Sequence, residues 1–311
     1  MSGSKAHNHD APDGEAMKKT TQKTEAQTGL SGSGRKRAAV LGAGALGRLI
    51  ADGIVHDLAD SWELAGIMAR TPEHADEAAA ALGTCACYSL DDVLALHPDV
   101  VVEAAGVGAA AMHGERILAE GCDFILLSAG ILADEAAAKR LLDAASASGA
   151  HMHVASGAVG GFDILSALQF RQKQLARKGR KERLSVQVDN LKAPGSLNGA
   201  PYLAGRELSE TEREMVFEGS AREAIAGFPK NVNVAVALAA ASAGMDETRV
   251  SIVSDPNLSA NTHICKADGF GVHVSMEFAS CPDPENPRSS SLAAWSVLAL
   301  LAKLASPIRF F

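Results

Sequence analysis

The chain has 311 residues, 47% of them apolar and 21% charged, a composition that suits two domains with buried cores and excludes a disordered or fibrous protein. Its net charge is −8, and because the first 37 residues hold seven Lys/Arg against four Asp/Glu, the remaining 22 basic and 33 acidic residues stand at −11. A body that acidic repels nucleic-acid phosphates and anionic membranes, and the longest apolar stretch, 292–305, is broken by Lys303 and is shorter than the roughly 20 residues that cross a bilayer.

Five cysteines (Cys85, Cys87, Cys122, Cys265, Cys281) make an odd number without a disulfide-scaffold spacing, and no apolar N-terminal segment marks secretion. The expectation is a reduced, cytoplasmic protein with no nucleic-acid or membrane partner. Cys85-Ala86-Cys87 lacks a second Cys or His pair nearby, so no metal site is expected. Residues 1–36 are rich in Ser, Gly, Lys, Thr and Gln and nearly free of large apolar side chains, which predicts a disordered leader.

From 37 to 162 short apolar runs alternate with alanine-rich helical segments, the pattern of a doubly wound parallel sheet. Strands are expected at Ala38–Leu41, Glu63–Met68, Cys85–Tyr88, Val100–Ala104, Phe124–Leu127 and His151–Val154. Helices are expected at Leu46–Leu58, Pro72–Leu82, Leu90–Leu96, Ala109–Glu120 and Asp134–Ser148. The strand runs are continuously apolar, which suits strands covered on both faces. From 163 to 286 the pattern changes to a long helix, Asp163–Lys178, then strands at Leu184–Val188, Arg249–Ser254, His263–Lys266 and Val272–Phe278, with helices at Ala221–Ala226 and Val232–Ala243. This reads as a second, α+β domain that carries the substrate. The segment 287–311, with an apolar helix at Leu292–Leu304, is expected to pack back on the first domain. The fold class is therefore α/β, a Rossmann domain followed by an α+β substrate domain.

Gly42-Ala43-Gly44-Ala45-Leu46-Gly47 is a G-x-G-x-x-G loop directly after a strand and at the start of a helix. Gly42 permits the tight turn, Gly44 admits a pyrophosphate, Gly47 allows close helix–strand packing, and the N–H groups of Ala45 and Leu46 lie at the positive helix end. NAD-preferring sites commonly carry an acid at the end of the second strand, yet this strand ends Met68-Ala69-Arg70. Arg70 is either a partner for a 2′-phosphate or adenine, or a solvated surface residue, so the cofactor is NAD or NADP.

Three further segments are distinctive: Ser156-Gly157-Ala158-Val159-Gly160-Gly161-Phe162-Asp163, Gly219-Ser220-Ala221-Arg222-Glu223 leading to Pro229-Lys230-Asn231-Val232-Asn233-Val234, and Asp255-Pro256 followed by Asn261-Thr262-His263. Together with the glycine loop they resemble the L-aspartate dehydrogenase family, from about Arg37 to the C-terminus. The resemblance implies NAD(P)-dependent oxidation of L-aspartate to iminosuccinate, which feeds NAD biosynthesis or hydrolyses to oxaloacetate and ammonia. It matches His263 to the catalytic histidine and Ala158 and Asn233 to cofactor contacts. It also suggests a homo-oligomer, most simply a dimer.

The chemistry agrees with that assignment, since a hydride leaves the substrate carbon only if its nitrogen sheds positive charge, and histidine titrates near neutrality. Asn261 or Thr262 is expected to orient the His263 ring. His151 and His153 share a sheet face near the expected cofactor edge, with no acidic partner evident, and are expected to pack. A dicarboxylate needs cations, for which Lys192 and Lys230 are the candidates, Lys230 being alternatively a partner of the cofactor phosphates. Competing readings are a homoserine dehydrogenase-like or dihydrodipicolinate reductase-like enzyme, or a dinucleotide-binding sensor without catalysis.

Overall fold

The computed structural model describes residues 34–281 and 290–308. The expected disordered leader thus lies outside the described residues, apart from its last three positions. Residues from Arg35 onward form one compact unit containing two sheets.

The first sheet is built from β1 (Lys36–Leu41), α1 (Ala45–His56), β2 (Trp62–Met68), α2 (Pro72–Leu82), β3 (Cys85–Cys87), α3 (Leu90–Ala95), β4 (Val100–Glu103), α4 (Val107–Ala119), β5 (Asp123–Leu126), α5 (Glu135–Ser148) and β6 (Met152–Val154). Its strand order is β3-β2-β1-β4-β5-β6, every pair parallel. Ala38, Ala39, Val40 and Leu41 are all fully buried because β1 is the centre of this sheet and is covered on both faces. On one face Ala38 and Val40 pack with Ile50 and Ile54 of α1; on the other Ala39 and Leu41 pack with Ile117 and Leu118 of α4.

The second part comprises α6 (Phe162–Arg177), β7 (Ser185–Lys192), α7 (Pro194–Leu197), β8 (Glu214–Ser220), α8 (Ala221–Gly227), α9 (Asn233–Ala240), β9 (Thr248–Ser254), β10 (Asn261–Gly269) and β11 (Val272–Ser280). The five strands run β11-β10-β7-β9-β8 in a mixed sheet, with only β7 and β9 parallel. β8 was not anticipated from the sequence: its pairing with β9 shifts register between Met215 and Phe217, so the alternation that marks a strand is broken.

In β7 the side chains of Val186 and Val188 enter the core, and the same face continues through Asn190 and Lys192. An apolar row thus turns polar at one end without leaving the interior. α10 (Leu292–Ala305) follows, burying Ala294, Val297 and Leu301 against the α1 side of the first sheet. Its Leu301 carbonyl accepts a hydrogen bond from Trp62 Nε1 at 3.0 Å, and Leu298 fills the space beside Gly53 of α1. Among the described residues no helix is long and apolar enough to cross a membrane.

Candidate active site

The sheet order reverses direction between β1 and β4, and in such sheets a ligand binds in the crevice outside the carboxyl ends of the strands at that point. The glycine loop is there. Gly42 adopts φ +113°, its N–H bonds the Met68 carbonyl at 2.7 Å, and a Cβ on it would stand 2.7 Å from the Ala104 carbonyl oxygen. A Cβ on Gly47 would meet the Gly42 oxygen at 1.8 Å, so α1 packs on the loop only because that position is glycine. Gly44 faces open space instead. With no side chain capping the start of α1, the N–H groups of Ala45 and Leu46 remain available to an anion. Cradle and donors together fit a dinucleotide pyrophosphate. Arg48, which sequence reasoning passed over, braces the loop by donating to the Ala43 carbonyl at 2.9 Å while pairing with Glu77. Arg70 is exposed just beyond β2 and makes no hydrogen bond or ion pair among the described residues.

A second cluster lies at the polar end of the second sheet. β10 pairs with β7 so that His263 stands opposite Asn190. The imidazole is 4% exposed, and its Nδ1 lies 2.8 Å from Asn190 Oδ1. Asn190 Nδ2 in turn donates to the Ser251 carbonyl at 3.2 Å, which fixes the amide with its oxygen toward the ring. Nδ1 therefore carries the proton and Nε2 keeps its lone pair. Asn190 does the orienting, not Asn261 or Thr262 as expected; Thr262 Oγ1 turns away to the Ala260 carbonyl. The partner went unseen because it is 73 residues distant in sequence.

Lys192, two residues beyond Asn190 on the same face, is 8% exposed and has no anionic partner among the described residues. Burial lowers its pKa to about 8. Burial first, and the Lys192 charge second, lower that of His263 to about 3. At neutral pH this is a neutral base beside a cation. Lys230, the other cationic candidate, is exposed in the segment before α9.

Asn233 opens α9, and its Oδ1 accepts the Gly130 N–H at 3.0 Å, tying the second part of the chain to the turn after β5 and leaving its Nδ2 donors uncommitted there. Ala158 is half-buried in the loop between β6 and α6, where only its backbone and methyl group are offered. Arg222 donates to the Ala133 carbonyl at 2.8 Å and pairs with both Glu135 and Asp246. One residue the sequence reading missed entirely is Glu103, fully buried at the end of β4 and accepting from Ala105, Gly106 and Ser128. His151 precedes β6 at the amino end of the sheet, His153 stands mid-strand in register with Ile125, and both side chains turn to Asp123 at the start of β5, at 3.4 and 3.2 Å. The acidic partner thus exists, 28 residues before His151. All five cysteines are free, and among the described residues no three His, Cys, Asp or Glu are arranged to hold a metal.

Comparison with known proteins places this geometry. A family model described as the aspartate dehydrogenase C-terminal region matches residues 174–304, and one described as the homoserine dehydrogenase NAD-binding domain matches 42–155. The chain is 39% identical over 268 residues to L-aspartate dehydrogenase 2 of Bordetella pertussis, covering 86% of this chain and 96% of that protein. It is 35% identical over 253 residues to L-aspartate dehydrogenase of Methanosarcina acetivorans, covering 80% and 90%. The crystal structure of aspartate dehydrogenase from Thermotoga maritima superposes with a TM-score of 0.65 at 24% identity, over 89% of this chain and all of that one.

The glycine geometry separates binding from folding. Gly44→Ala, whose methyl group meets nothing within 4 Å, is expected to melt as wild type does but to lose at least tenfold in nicotinamide cofactor affinity. Gly47→Ala is expected to lower the melting temperature by several degrees, since a backbone oxygen 1.8 Å away must move. Calorimetry and cofactor titration on both variants check the pair.

Proposed function

The chain belongs to the L-aspartate dehydrogenase family, and we propose that it oxidises L-aspartate to iminosuccinate with His263, oriented by Asn190, as its base. It is an NAD(P)-dependent oxidoreductase, and a nicotinamide cofactor held on the Gly42–Gly47 loop supplies hydride acceptance. The single observation that carries the reading is the His263–Asn190–Ser251 chain, which leaves Nε2 unprotonated on a buried imidazole.

The amine of aspartate arrives as an ammonium ion, and a proton must leave it before the adjacent carbon can give up its hydride. Nε2 is the acceptor for that proton. Charging it places a positive imidazole near Lys192, which is unfavourable in the empty site and becomes tolerable once an anionic substrate lies between them. Lys192 takes one carboxylate of the substrate, since a buried, unpaired ammonium is otherwise a net loss to the fold. Burial of both side chains keeps water from the imine as it forms. Asn233 Nδ2 and the Ala158 backbone are offered to the cofactor, Lys230 is assigned to cofactor phosphate or solvent, and the product serves NAD biosynthesis or hydrolyses to oxaloacetate and ammonia. Arg70 favours use of NADP beside NAD, being exposed and free of carboxylate partners. A cytoplasmic homodimer is the assembly proposed, supported by the outward Leu292 and Trp295 of α10, 38% and 55% exposed; light scattering on the purified protein should return twice the chain mass.

An amino-acid panel with NAD and NADP tests the activity directly. L-aspartate should be the preferred substrate, His263→Ala should reduce kcat at least about 10²-fold with the fold intact, and Arg70→Ala should shift the cofactor ratio toward NAD. Turnover of another amino acid with none of aspartate would overturn the reading.

Lys192→Met should raise stability while removing substrate binding. Because the folded pKa, about 8, lies below the ordinary 10.5, the penalty is full below pH 8 and fades as pH rises toward the ordinary value. The stability gain at pH 7 is on the order of 2–3 kcal/mol by urea denaturation. Succinate, which does not titrate in this range, should inhibit wild type about tenfold less per pH unit above 8. The variant should bind it weakly at every pH.

A further inference from the structure

Glu103 is a buried charge for which the reaction, as described, has no use. It is fully buried, at the carboxyl end of β4, in register with Leu41 of β1, so it sits at the reversal point of the sheet beside the residue that leads into the glycine loop. Its Oε1 accepts from Ala105 N at 2.8 Å, Gly106 N at 2.6 Å and Ser128 Oγ at 3.0 Å, and its Oε2 accepts from Ser128 N at 2.9 Å. Three of these four partners are backbone N–H groups that can only donate, which is the environment of a carboxylate rather than a carboxylic acid. Burial pushes its pKa up, and the Ser128, Gly106 and Ala105 N–H groups oppose that rise. Among the described residues no Lys, Arg or His forms an ion pair with it.

Two consequences follow from this placement. The N–H groups of Ala105 and Gly106, immediately before α4, are taken internally by Glu103. The negative charge that consumes them is not neutralised by a cation. The carboxylate favours positive charge beside it. In a sheet of this order the adenine half of a dinucleotide lies toward β2 and the nicotinamide half toward β4 and β5, the strands whose following loops Glu103 ties together through Ala105, Gly106 and Ser128.

The two redox forms of the cofactor differ by one unit of charge on that ring, positive when oxidised and neutral when reduced. We propose that Glu103 is a positioning residue that also sets redox preference, its buried, cation-free carboxylate favouring binding of the oxidised nicotinamide over the reduced one. Such a charge strengthens capture of the oxidant and promotes release of the reduced product. The interaction is effective because the carboxylate is screened from water, where Coulomb attraction is several-fold stronger than at an exposed site. The inference rests on the assignment of a nicotinamide cofactor.

The test is the dissociation constant of NAD+ and of NADH, measured separately by calorimetry and by quenching of protein fluorescence, for wild type, Glu103→Gln and Glu103→Asp. Glutamine keeps an oxygen for Ala105, Gly106 and Ser128 Oγ but sets its Nε2 donors against Ser128 N, so three of the four bonds hold the local geometry. It should weaken NAD+ about tenfold more than NADH. Aspartate keeps the charge and shortens the reach; it should weaken both forms together, with their ratio within about twofold of wild type. Equal weakening of both forms by glutamine, or a ratio shifted by aspartate, would overturn the proposal, and the aspartate arm can still overturn it should the glutamine variant not fold. A wild-type protein that binds neither form would instead overturn the cofactor assignment.

Discussion

The site exists because β1 and β4 lie side by side while the helices that follow them depart to opposite faces of the sheet. α1 covers the face of Ala38 and Val40, α4 the face of Ala39 and Leu41, and the gap between their first turns is the crevice. Everything at the crevice is then a matter of how closely backbone can approach backbone. Gly47 against the Gly42 carbonyl and Gly42 against the Ala104 carbonyl set the spacing of three chain segments with no side chain between them. The turn after β5 completes the wall, held to β4 through Ser128 and to α9 through Gly130.

The second sheet buries polar side chains by continuing an apolar row. The core-facing row of β7 continues from Val186 and Val188 into Asn190 and Lys192, so the packing that buries the valines buries the asparagine and the lysine as well. Each buried polar group is a stability loss unless partnered. Asn190 is fully partnered, by His263 and the Ser251 carbonyl, and is rigid for that reason. Lys192 is not, and its unpaired burial is what supports the role proposed for it as a carboxylate ligand.

Much of this was legible in the sequence, and the limits are physical. The inner parallel strands announce themselves as continuous apolar runs, the two edge strands at Cys85 and Met152 less so, and the glycine loop is local, legible in six consecutive residues. His263 was singled out through its surrounding motif, which is likewise local. Asn190 and Ser251 were not, because antiparallel and parallel pairing bring them to His263 from 73 and 12 residues away and nothing in their own neighbourhoods records it. Glu103 was hidden for a different reason: it closes the run Val100-Val101-Val102, where an acid reads as the end of a strand facing water. Its partners are backbone groups, which sequence composition does not reveal. The pairing of Asp123 with His151 and His153 escaped for the same topological reason as Asn190.

The return of α10 to the first sheet has a bearing on how the protein is made. α1 presents Gly53 to Leu298, and β2 presents the Trp62 indole to the Leu301 carbonyl, across more than 230 residues of intervening chain. On the ribosome the first sheet is synthesised early but cannot cover that face until α10 emerges, after the whole second sheet has been translated. The nascent chain therefore carries an uncovered apolar groove through most of its elongation.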